Sequence, residues 1–186
     1  MNSTRIEKDF NFQSALHIEG RFFVNSYDIA LSVLVNTDSV REQNVAMNRV
    51  NYFLHKVVQN SISVNTNSRE DINNFKALNI KVCELPQDPY DQIFGMILLL
   101  KLNAIMENKL SITDMILGSS MSDGVRYSIV SEVSENFGSG DHWWNSPKIC
   151  LCDHDLALQS DGNIVTLFED NKWSDLGLSW KQKTKK

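Results

Sequence analysis

The residue types best suited to chemistry gather in the last third of the chain. Gly138-Ser-Gly-Asp-His-Trp-Trp-Asn145 sets an acid, an imidazole and two large aromatic rings in one glycine-bearing loop. Asp141 and His142 are types that bind polar edges or shuttle a proton, and Trp143 and Trp144 are suited to stacking on a base or a pterin. The competing expectation is that the two Trp anchor this loop to the core or to another subunit. A second candidate is Cys150-Leu-Cys152-Asp-His154. On a strand, alternation would put both thiols and the imidazole on one face, and both types ligate zinc, with His142 as a possible fourth ligand. Cys-x-Cys on a strand is a poorer chelate than the usual Cys-x2-4-Cys knuckle. Zinc is therefore a minor option here, and no cofactor is expected.

Two further places hold polar groups in suggestive settings. Asp114 shares a period-two face with Leu110, Ile112 and Ile116, and a carboxylate on an apolar face needs a partner. Arg126 on the next strand is the expected one, or else a ligand amine or purine edge, with Glu107 nearby at the end of the preceding helix. In the loop from Gly118 to Gly124, Ser119, Ser120 and Ser122 offer hydroxyls, but GxxxxGK[ST] and GxGxxG are both absent. A plain hairpin loop is expected there. His17 is read as a partner of Glu19 on a polar strand face, and His55 lies on a wet helical face.

The elements that must position these groups are legible from periodicity. Residues 10–19 and 23–35 alternate as half-buried strands, with Glu19-Gly20 turning the chain between them. Ser39-Val40-Arg41-Glu42 is a capping box, followed by Met47, Val50, Leu54, Val57 and Val58 at helical spacing. Residues 69–78 suggest a short helix and residues 80–85 a strand. A second long helix is expected to open at Asp88-Pro89, with Asp as cap and Pro in the first turn. Its body, residues 93–106, is apolar almost all round apart from Lys101 and Asn103, and Gly95 suggests a close backbone approach. Strands at 110–117 and 125–133 follow, then a short strand at 148–152. A hairpin is centred on Asp161-Gly162. Trp173, Leu176, Leu178 and Trp180 are expected to fold this end back onto the body.

The expected fold class is α+β: an antiparallel sheet built from two hairpins, with two long helices packed on it in a ββααββ-like order, plus a C-terminal β-rich segment. The core domain would occupy residues 1–134, the packed segment 135–180, and a basic disordered tail 181–186. The element order resembles, in topology alone, the tunnelling fold of pterin and purine enzymes.

Composition narrows the function. With 186 residues, 42% hydrophobic and 22% charged, the chain can bury a core without staples. Its formal charge of −5 argues against a nucleic-acid partner, which calls for a basic footprint. Three cysteines and an opening without an apolar leader lead to the expectation of a cytoplasmic protein, and no window is apolar enough to expect a membrane span. The 19 Asn against 8 Gly and 3 Pro fit an AT-rich viral or bacterial coding sequence. The leading expectation is a non-catalytic binding or assembly protein acting through a homo-oligomeric or partner interface. The alternative is a nucleotide- or pterin-type small-molecule binding protein or enzyme using the Asp-His-Trp-Trp loop, and the third option is a zinc-stabilised module.

Overall fold

In a computed structural model of the chain, the described residues are 4–130, 137, 140–158 and 172–180. They form a mixed α+β fold with one six-stranded sheet and four α-helices. The first hairpin is the longest part of the sheet. Strand β1 (Arg5–Ile18) and strand β2 (Arg21–Val35) pair antiparallel along their whole length, from Arg5 opposite Leu34 to Ile18 opposite Arg21. Glu19 and Gly20 both adopt positive φ, 51° and 73°, which is what a two-residue turn needs to match the strands' twist.

Helix α1 (Val40–Tyr52) begins where the serine cap sets it, with Ser39 Oγ accepting from the Glu42 amide at 3.3 Å. The reciprocal half of the box runs through a neighbour. Thr37 Oγ1 donates to Glu42 Oε2 at 2.7 Å and accepts from the Ser39 amide at 3.3 Å. The helix continues as a π-turn over Phe53–Val58, closed by the Gln59 amide on Leu54 O at 2.9 Å. This widening turns Phe53, Leu54, Val57 and Val58 inward together.

Between the two long helices lies the part that the expected ββααββ order does not contain. Strand β3 (Ser61–Asn65), helix α2 (Arg69–Ala77) and strand β4 (Lys81–Leu85) form a parallel unit. Strand β3 also runs parallel to β1, pairing Ala15, Leu16 and His17 with Ile62, Ser63 and Val64. The sheet order is β4-β3-β1-β2-β5-β6, so the sheet is mixed rather than wholly antiparallel. Helix α3 (Asp91–Met106) starts later than Asp88-Pro89, with Tyr90 at the cap. Asp88 instead accepts the side-chain amide of Asn65 at 2.9 Å, tying the end of β3 to the helix approach. Gly95 lies where a Cβ would come within 2.3 Å of Ile129 Cδ1, so α3 sits directly on the second hairpin.

That hairpin comprises β5 (Leu110–Ser119) and β6 (Arg126–Val130). Ser32 faces Asp114 while Val33 faces Ile112, so Thr113 is the extra residue of a β-bulge. The bulge reverses the alternation. Leu110 and Ile112 point to the core before it, Met115 and Leu117 after it. Residues 143–145 form one 3-10 turn, and helix α4 (Asp153–Leu158) follows. Residues 148–152 are bends rather than the expected strand, and 156–158 are helical rather than the start of a hairpin. The rest of that hairpin, the end of the 125–133 strand and the basic tail lie outside the described residues.

Helices α1 and α3 cover one face of the sheet together with Trp143, Trp144, Cys150 and Trp173. Helix α2 packs on the opposite face, its Ile72 and Phe75 against Ile62, Val64 and Val82. Across β1, β2, β5 and β6 that second face stays open, exposing Asp9, Asn11, Asp28, Ile116, Arg126 and Ser128. No helix among the described residues is long and apolar enough to cross a membrane.

Candidate functional site

Strand β3 meets β1 only from Ala15 onward. The first nine residues of β1, from Arg5 to Gln13, therefore pair with β2 on one side, and among the described residues no backbone hydrogen bond reaches their other side. A cleft of about 490 Å³ lies along this edge and spreads over the open face. Lys8, Asp9 and Asn11 of β1, Asp28 of β2 and Arg126 of β6 line it, with Ala30 and Ile116 in its lining and Asn51 and His55 reaching it from the helix side. Strand pairing dictates this grouping. Asn11, Asp28, Gly118 and Arg126 occupy one row across four strands. Having no side chain, Gly118 lets the Arg126 stem lie flat on the sheet, its Cγ 3.4 Å from where a Cβ would stand.

Among the described residues, the side chains of Asp9, Asn11, Asp28 and Arg126 make no hydrogen bond or ion pair. His55 lies with its ring centroid 6.2 Å from that of Phe10, and its Nδ1 is 3.3 Å from Gln59 Oε1. Arrayed this way, the cleft offers carboxylates on one stretch, a guanidinium across it and an unpaired backbone edge alongside. Such a surface can add a strand and read its side chains. Period-two exposure of Asp9, Asn11 and Asp28 was visible in the sequence, but such residues usually mark a solvated face. Only the termination of β3 pairing at Ala15 makes the edge, and nothing in the local sequence announces that.

Asp114 does not sit on an apolar face. The bulge at Thr113 turns it to the open side, where its Oδ1 accepts from Ser128 Oγ at 2.9 Å. Arg126 lies in a different row, beside Gly118, and is not its partner. Glu107 caps α3 in the left-handed region, φ 47°, and accepts from Arg49 at 2.6 Å. Arg49 is buried. It also donates to Leu178 O at 2.9 Å and Ile105 O at 3.0 Å, and its guanidinium lies 3.9 Å from the Trp180 ring. Arg41 donates to the Trp180 and Ser179 carbonyls, so two arginines of α1 hold the 178–180 segment against the body.

The Asp-His-Trp-Trp loop is built into the core. Trp143 and Trp144 are 3% and 4% exposed, and Trp143 Nε1 donates to Glu84 O at 2.8 Å. His142 stacks on Trp144 with centroids 4.4 Å apart, and its Nδ1 lies 2.9 Å from Asp153 Oδ2. The other oxygen of Asp153 accepts the Trp143 amide at 2.7 Å. Asp141 is exposed.

Holding this loop from beneath is Lys101, fully buried in α3. Its ammonium donates to three carbonyls, Trp143 O at 2.8 Å, Ser146 O at 2.9 Å and Lys148 O at 2.7 Å. Burial pulls its pKa down to about 8, against the opposing influence of the Cys150 thiol at 3.6 Å. Cys152 points elsewhere, accepting from the Asp155 amide at 3.4 Å and lying 3.8 Å from Lys76 Nζ. His154 is exposed. The two thiols thus serve different neighbours, and burial pushes the pKa of each upward. Among the described residues no three His, Cys, Asp or Glu side chains are grouped to hold a metal ion.

The hydroxyls of the 118–124 loop are already engaged. Ser119 donates to Asp91 at 2.7 Å, Ser120 to Asn25 at 2.8 Å, and Ser122 to the Ser119 and Val125 carbonyls. Sequence reasoning passed over Lys101 and Arg49, although a lysine inside an all-apolar helix is a signal that its ammonium must be bonded indoors.

No protein-family model matches the chain, and no curated protein matches it.

Proposed function

We propose that the protein is a non-catalytic binding or assembly protein that takes an extended segment of a partner protein as an added strand along the first half of β1. The observation that carries this reading is the unpaired edge of β1 beside the cleft. An unpaired strand edge is a template for another chain, and main-chain hydrogen bonds supply affinity while alternate side chains supply specificity.

The edge favours a foreign segment over a second copy. Two copies joined antiparallel about a two-fold centred on Glu7, Lys8 or Asp9 would set that residue against itself, like charge facing like charge. Mixed charge along an edge guards against self-pairing while leaving it open to a strand of matching pattern.

Selection of peptides from a random octapeptide library on the full chain tests this, read out by amide hydrogen exchange. Selected peptides should slow exchange of the amides from Ile6 to Gln13 while leaving the amides of α3 unchanged. Peptides that bind without protecting this stretch would sink the reading. So would slow exchange of the stretch in the free protein at micromolar concentration that is lost on dilution, because the edge would then be taken by a second copy.

A further inference from the structure

Resting on that reading of the β1 edge, we infer that the partner segment is one carrying basic side chains at alternate positions, placed on the open face of the sheet. A strand laid beside β1 presents its side chains alternately to the two faces. On the open face its cross-strand neighbours are the exposed Arg5, Glu7, Asp9, Asn11 and Gln13, whose middle carries the two carboxylates of Glu7 and Asp9, with Asp28 one strand further in. On the helix side the neighbour is Lys8, whose Nζ lies 5.9 Å from the Phe10 ring centroid.

The two faces of the edge therefore ask for different residues. Lysine or arginine next to Glu7 and Asp9 gains opposite-charge cross-strand pairing, and a base on the helix side meets Lys8. A segment of the form base-x-base, with apolar or acidic residues at x, satisfies both faces in one register. A one-residue slip would bring its bases against Lys8 and away from the carboxylates, so the charge pattern also fixes register.

The probes are two capped heptapeptides, one alternating valine with lysine and the other valine with glutamate, titrated to millimolar concentration against the full chain. Hydrogen exchange of the amides from Ile6 to Gln13 reports where they bind. The lysine peptide should protect these amides and bind about tenfold more tightly than the glutamate peptide, with the gap shrinking in 0.5 M salt. The double variant Glu7→Lys and Asp9→Lys should reverse the order. Both side chains are exposed, so it should fold as the parent does. Equal protection by both peptides, or preference for glutamate, overturns the basic-segment inference while the strand-addition reading stands. Absence of protection by either peptide, on this edge or at millimolar concentration, overturns both.

Discussion

Lys101 is a buried cation and Arg126 an exposed one, and their charged ends meet opposite fates. On the helix-covered side, Lys101 has each of its three protons on a carbonyl. On the open side, Arg126 lies across Gly118 and donates to nothing among the described residues. The same contrast runs through their surroundings. Arg49 near Lys101's side of the sheet is clamped by Glu107, two carbonyls and the Trp180 ring, while Asp9 and Asp28 stand without partners. A buried polar group must be matched inside the fold, so the covered side uses its charges as construction. Charges that the fold leaves unmatched around a cleft are where an outside molecule meets least competition.

The largest test of this contrast is Lys101→Met. Removing the ammonium takes a charged donor from three carbonyls on the buried side, leaving Trp143 O with the Ser146 amide at 3.2 Å and Lys148 O with the Cys150 thiol at 3.7 Å, and the variant should lose about 3 kcal/mol in urea denaturation. Loss of near-UV circular dichroism from Trp143 and Trp144 should accompany it. The pH dependence carries the same signature. The folded-state pKa of Lys101 is about 8 against an ordinary 10.5. Between those values the unfolded chain holds more protons, so this group's contribution to stability rises with pH across that window. Melting temperatures of the parent and Lys101→Met, compared at pH 7.5 and 9.5, should converge less at the higher pH; equal differences at both would show that the ammonium does not titrate there.

A middle-sized effect belongs to Arg49→Lys, which keeps the charge but loses the planar fork. It cannot reach Leu178 O, Ile105 O and Glu107 together while lying on Trp180, and about 1–2 kcal/mol should be lost. Limited proteolysis should find the 172–180 stretch more readily. Smallest of all, Asp28→Asn should shift stability by less than about 0.5 kcal/mol, because the carboxylate is exposed and unpaired. A loss comparable to Arg49→Lys would erase the distinction between the two sides.

What the sequence made legible follows from which signals are local. Alternation in β1 and β2, the turn at Glu19-Gly20, the Ser39 cap and the buried body of α3 each rest on neighbours within a few residues, and each stands in the structure. Gly95's close approach was readable for the same reason. Helix α2 and strand β4 stand where residues 69–78 and 80–85 suggested them, but strand β3 was not legible. Its Ile62 and Val64 alternate with Ser61, Ser63 and Asn65, but two apolar residues within a polar stretch from Asn60 to Ser68 are too short a signal to stand out from a loop. Asp88 carried a cap signal that a distant residue, Asn65, claimed instead. The candidate site was the least legible of all. Its edge exists because β3 pairs with β1 over only three residues, and its row of side chains exists because strands distant in sequence lie side by side.

The extra residue at Thr113 gives β5 one residue of slack in chain length. Deletion of that single codon would restore unbroken alternation through the strand. Ile112, Met115 and Leu117 would stay beneath α3, with Asp114 and Ile116 still on the open face, because the residues on either side of Thr113 already face as a regular strand requires. Thr113 is thus a spare link, and a library of single-residue deletions should show its shallowest loss in β5 there and a deeper one at Met115.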